Sequence, residues 1–154
     1  MNIFFLKKRR KFFKILDIRY VNSFNGHIQT IEVNGNLSLV RVSITPKLQL
    51  KAIVIDTPET AAYLQPEASI TVLFKETEVI IATAEVPEIS LQNRIPASIS
   101  SIDQGKLLTK LKLQSDAGVF TSIISTDSAL RLQLKEKMMV IAMIKLNEVM
   151  LRAL

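Results

Sequence analysis

The sequence predicts a mainly β protein built as two tandem OB-like five-stranded barrels, each with one short helix between strands three and four. Three observations lead there. First, segments recur in the same order through the two halves of the 154 residues. "NSFNGHIQTIE" (22–32) returns as "NRIPASISSID" (93–103), "TPETAAYLQ" (57–65) as "STDSALRLQ" (125–133), and "VLFKETEVIIA" (72–82) as "AMIKLNEVMLR" (142–152). Second, several apolar runs alternate strictly with polar residues, the period of a half-buried strand. Third, each half places one short stretch with a helix-start signal after its third run.

Within each half the elements follow in order. A first strand (24–33, then 95–104) ends at a turn, "NGN" in one copy and "QGK" in the other. The second strand is "LSLVRVSI" (37–44) or "LLTKLKLQ" (107–114), whose alternation predicts one buried face and one wet face. A third strand ("LKAIVI", "GVFTSII") leads to the short helix, and a hairpin with a lysine at its turn closes the unit. Five strands with a helix between the third and fourth is the order of a small closed barrel. The boundary falls near "AEVPEIS" (84–90), where Pro87 interrupts strand pairing. The expected organisation is therefore a basic arm at 1–18, a first barrel at 19–86 and a second at 87–154.

Composition removes several functions. No cysteine is present, which excludes thiol catalysis, disulfides and zinc sites built on sulfur. A single histidine, His27, excludes multi-histidine metal sites, and its place in an apolar strand suggests a structural role. The net charge of +6 belongs to the arm: residues 1–16 hold six basic side chains and no acid, leaving 14 basic and 14 acidic residues beyond it. A secretory signal puts its charges before the apolar core, whereas here Ile3–Leu6 precedes them. A transmembrane helix needs about 20 apolar residues, and no segment approaches that. The arm reads as a solvated terminus or as a contact for an anionic membrane or nucleic acid.

The helix start is the chemically suggestive point. Thr57 and Ser125 stand where a cap belongs, Pro58 suits the first helical position, and Thr60 and Ser128 follow one turn later. Hydroxyls and free backbone N–H groups aimed at one place suit an oxyanion. The same residues also describe an ordinary helix cap. Lys75 and Lys145, where a strand meets its turn, equally suit an anion or a wet, unpaired edge. Both copies keep the hydroxyl pair together with the lysine.

These residues resemble the molybdate-binding Mop domain, also called the TOBE domain. That unit opens with Ser-Ala-Arg-Asn, carries Thr-x-x-Ser before a short helix, and ends in an apolar–Lys–x–x–x–Val hairpin. The resemblance runs from about Arg19 to the end in two copies, and a tandem pair is similar to the molbindins, small cytoplasmic proteins binding molybdate or tungstate. In the second copy, Ser90 and Asn93 match the opening motif with Gln92 in place of its arginine; Ser125, Ser128, Arg131 and Lys145 match the rest. In the first, Asn22, Thr57, Thr60 and Lys75 match, while Arg19, Val21 and Tyr63 depart. The resemblance implies an oxyanion site between domains or subunits, a homo-oligomer (a trimer of two-domain chains), no cofactor, and a role in molybdenum storage or homeostasis. Hydroxyls, N–H groups and one ammonium are the donors that an acceptor-only dianion requires.

Other readings stay in view. The same fold could serve as an oxyanion-sensing accessory module of a molybdate transporter or repressor. An OB-type nucleic-acid binder would need aromatic platforms in a basic groove, and Tyr20, Phe24, Tyr63, Phe74 and Phe120 form no sequence cluster in a neutral body. An enzyme would need a nucleophile–base or carboxylate constellation, and none recurs in both copies.

Overall fold

A computed structural model describes residues 20–83 and 88–154. The basic arm at 1–18, Arg19 and most of the expected boundary around Pro87 lie outside the described residues. The first half contributes β1 (Val21–Asn34), β2 (Leu37–Thr45), β3 (Leu48–Val54), β4 (Ser69–Lys75) and β5 (Ile80–Ala82). The second contributes β6 (Asn93–Gln104), β7 (Leu108–Ser115), β8 (Gly118–Ser125), helix α1 (Thr126–Arg131), β9 (Met139–Ile144) and β10 (Met150–Ala153). The alternation read from sequence is realised: Ser38, Val40 and Val42 of β2, and Thr109, Leu111 and Leu113 of β7, are buried.

The two sheets are not self-contained. One runs in the order β10-β4-β1-β2-β3 and the other β5-β9-β6-β7-β8. The last strand of each half is therefore donated to the other half. Ile80 and Ala82 of β5 pair with Met143 and Ile141 of β9, while Met150 and Arg152 of β10 pair with Leu73 and Thr71 of β4. This corrects the expected lysine-ended hairpin. The 3-10 turns Glu76–Glu78 and Leu146–Glu148 carry the chain across to the opposite sheet instead of back along its own. A strand–turn–strand pattern fixes the turn but not which edge the second strand meets, since any free edge offers the same N–H and C=O groups.

The core is correspondingly shared. One buried cluster runs from Phe24, Ile28 and Leu50 in the first half to Ile95, Leu111 and Ile144 in the second. Phe24 and Phe74, 5.6 Å apart, meet Phe120 of the other half with ring centroids at 5.7 and 6.1 Å. Three of the five aromatics that form no cluster in sequence, Phe24, Phe74 and Phe120, do form one in space. At 4%, 0% and 3% exposed, they offer no surface on which a base could stack.

Both halves repeat the same irregularities. β1 carries a bulge between Ile28 and Thr30, and β6 one between Ile99 and Ser101. Beside each bulge a non-glycine residue takes a left-handed conformation: Glu67 at φ 65° and Lys137 at φ 68°. Their N–H groups donate to the carbonyls of Ile28 and Ile99 at 2.8 and 2.7 Å, which satisfies the backbone exposed by the bulge. Gly26 in β1 answers a steric demand, because a Cβ there would sit 2.3 Å from the Ser43 carbonyl oxygen.

Among the described residues, the helix expected after the third strand appears in the second half alone. Ser125 caps α1 by accepting from Ser128 N–H. The end is a Schellman closure, with Gln133 at φ 51°, its N–H on Leu130 O and Leu134 N–H on Ala129 O. Residues 57–65, expected to be helical, are a series of turns. Pro66 follows Gln65 directly and disfavours helical geometry there. The first half also has two fewer residues between Gln65 and Glu67 than the second has between Gln133 and Lys137, so the closure has no room.

Candidate functional site

The exchange decides which site residues meet. The 3-10 turn Glu76–Glu78 of the first half packs against β8 of the second, and the turn Leu146–Glu148 of the second packs against β3 of the first. Each lysine-bearing crossing thus lies beside the other copy's cap region. On the β8 side are Asn22, Lys75, Ser125, Ser128 and Arg131. On the β3 side are Gln92, Asn93, Lys145, Thr57 and Thr60.

The two asparagines act as brackets. Asn22 donates its amide to Thr121 O and accepts from Thr121 N–H, both at 2.8 Å. Asn93 does the same to Lys51, again at 2.8 Å for each bond. Both are buried, at 6% and 1% exposure, and each ties the first strand of one copy to the third strand of the other. An amide carries one donor and one acceptor at the spacing of a peptide edge, so it substitutes for a neighbouring strand. Gln92 lies at the surface, where its carbonyl oxygen accepts from Lys51 Nζ at 2.8 Å. Ser90 and Lys145 are exposed, and Lys75 is half-buried at the start of its crossing turn. His27, expected to be a structural histidine, is exposed.

On the β8 side a cleft of about 410 Å³ opens between the edge strands β5 and β8. Thr77, Val79, Ile80 and Ile81 of the first half form one wall; Ile123, Ile124, Ser125, Ser128, Arg131 and Leu132 of the second form the other. Apolar residues interleaved with Thr77, Ser125, Ser128 and Arg131 give an open cleft of mixed character. Ser125 Oγ accepts from Ser128 N–H at 3.1 Å and donates to Ser128 Oγ at 2.8 Å. The Ser128 hydroxyl ends that chain with a hydrogen to give, and Arg131 lends positive charge.

The β3 side is arranged differently. Thr60 Oγ1 accepts from Thr57 N–H at 2.8 Å and lies 3.4 Å from Asp56 Oδ1 and 3.2 Å from Thr57 O. Tyr63 takes the place of Arg131, and burial, followed by the Asp56 charge, raises its phenol above the ordinary value. Asp56 was not among the expected site residues. The signal for it was an acid before Thr57 where the second copy has Ile124 before Ser125.

A third charge constellation was also missed. Glu76 in the crossing turn is buried, with Oε2 3.5 Å from Lys110 Nζ and no hydrogen bond of its own. Lys110 Nζ also lies 5.9 Å from the centre of the Tyr20 ring. Among the described residues no three His, Asp or Glu side chains are grouped as a metal site, and no helix is long and apolar enough to cross a membrane.

Residues 89–151, the second copy, match the TOBE domain. In fold the chain resembles a solved structure of ModG, described as a cytoplasmic molybdate-binding protein, in a form with molybdate bound. The two share 20% identity and a TM-score of 0.80, over 86% of this chain and 96% of that one. No curated protein sequence matches the chain.

Proposed function

We propose, from the match of residues 89–151 to the TOBE domain, that this chain is a binding protein for a tetrahedral oxyanion, molybdate or tungstate, serving molybdenum storage or homeostasis in the cytoplasm. The observation that carries the reading is the cleft between β5 and β8, whose walls come from both copies and whose polar end holds Ser125, Ser128 and Arg131. The anion's oxygens only accept hydrogen bonds. The Ser128 hydroxyl and the Arg131 guanidinium supply donors, and Lys75 at the nearby crossing adds countercharge. No step of this needs catalysis: the site holds an ion and releases it.

Oligomerisation belongs to the same proposal. Val33, Ile53 and Leu107 are 51%, 41% and 77% exposed, and a second cleft of about 280 Å³ runs beside Val33, Leu37, Leu39 and Ile53. A closed ring of chains, three in the simplest case, would cover such strand-tip residues and place cap regions of neighbours side by side.

Titration calorimetry with molybdate, tungstate and sulfate tests the function, with light scattering for the assembly. Molybdate and tungstate are expected to bind, and Ser128→Ala to weaken them about tenfold or more, the loss of one charge-assisted hydrogen bond. Silence with all three anions sinks the reading.

A further inference from the structure

We propose that the two cap regions have diverged, so that the chain keeps one oxyanion site, at Ser125 and Ser128, while Asp56 closes its counterpart at Thr57 and Thr60. This rests on the oxyanion reading above and states which of its two candidate places works.

Three differences converge. The Ser128 hydroxyl receives a hydrogen bond from Ser125 and keeps its own hydrogen for a ligand. The Thr60 hydroxyl already accepts from Thr57 N–H, and its hydrogen faces Asp56 Oδ1 and Thr57 O, so nothing is left to donate. Charge then separates them further. The Ser128 side has Arg131 lining its cleft, whereas the Thr60 side has Tyr63 at that position and a carboxylate 3.4 Å from the hydroxyl. A dianion seated at Thr60 would meet Asp56 at close range, and like charges at such distances repel strongly. Backbone geometry fixes the difference. The first half inserts Ile55 and Asp56 between its third strand and Thr57, where Ser125 directly ends β8. Ser38 Oγ, donating to Asp56 O at 2.6 Å, holds that insertion in place.

The test is molybdate calorimetry on the full chain with Ser128→Ala, Thr60→Ala and Asp56→Asn. One molybdate per chain is expected, weakened at least tenfold by Ser128→Ala and changed less than twofold by Thr60→Ala. Asp56→Asn, which removes the charge at nearly constant shape, is expected to add a second, weaker binding event. Equal losses from Thr60→Ala and Ser128→Ala, or two equivalent molybdates per wild-type chain, overturn the divergence and leave the oxyanion function standing. No binding by wild type or any variant ends both.

Discussion

The β8 side and the β3 side of the molecule are built on one plan and filled with different chemistry. On the β8 side the core positions are Phe24, Phe74 and Phe120; the equivalent places on the β3 side hold Ile95, Ile144 and Leu50, all fully buried. Glu76 and Lys110 form a charge pair on one side, whereas Leu146 and Leu39 occupy the matching turn and strand positions on the other. Ser128 and Arg131 of one side correspond to Thr60 and Tyr63 of the other, where Asp56 is added. What stays constant is backbone accounting: the asparagine brackets, the bulges, the left-handed Glu67 and Lys137, and the crossing turns. Buried N–H and C=O groups must be satisfied in every copy, so their partners resist change. Side chains need only fill volume, and that leaves them free to diverge.

The brackets give the largest expected effect. Asn93→Ala leaves the Lys51 N–H and C=O without partners in a buried seam, at about 1–3 kcal/mol each. Urea denaturation is therefore expected to show a loss of about 2–5 kcal/mol, and Asn22→Ala a similar one through Thr121. Matching losses would show that the two sides are braced alike. A change below about 0.5 kcal/mol in either, the level of an ordinary surface substitution, would break the equivalence.

Much of this plan was legible in the chain. Strand alternation, the internal repeat and the cap at Ser125 follow from local physics that sequence reports directly. The strand exchange did not follow, because β5 carries the same apolar pattern whether it pairs with β4 or β9, and pairing depends on which edge is within reach. The missing first helix was written in Pro66 and the shortened loop, a stop signal outweighed by the resemblance between 57–65 and 125–133. Asn22 and Asn93 were found as a recurring motif, but their work as brackets became visible only once β3 and β8 lay beside them. Asp56 escaped notice because a single inserted acid carries no periodicity.

The charge pair offers a smaller effect that sharpens the comparison. Lys110→Leu removes the nearest positive charge from the buried Glu76 and is expected to cost about 1–3 kcal/mol, moderated because Lys110 is itself 46% exposed. Adding Glu76→Leu copies the apolar solution of the other side. The double variant is expected to recover wild-type stability or exceed it by about 1–2 kcal/mol, as apolar replacements of partly buried ion pairs do. A double variant as unstable as the single would mean that the β8 side cannot accept the packing used by the β3 side.

The smallest effect lies at Tyr63, the phenol standing where the second copy has Arg131. Burial is the larger cause of its raised pKa and the Asp56 charge the lesser, both favouring the neutral form. Because the folded value exceeds the unfolded one of about 10, this stabilisation is complete below pH about 10 and disappears as pH rises through the folded value. Asp56→Asn is expected to lower the Tyr63 pKa part of the way and no further, read from tyrosinate absorbance in a Tyr20→Phe background. Complete return to the ordinary value would make the carboxylate, not burial, the main influence. No movement at all would mean that the Asp56 charge does not reach the phenol, and the contrast between the two cap regions would lose that part of its electrostatics.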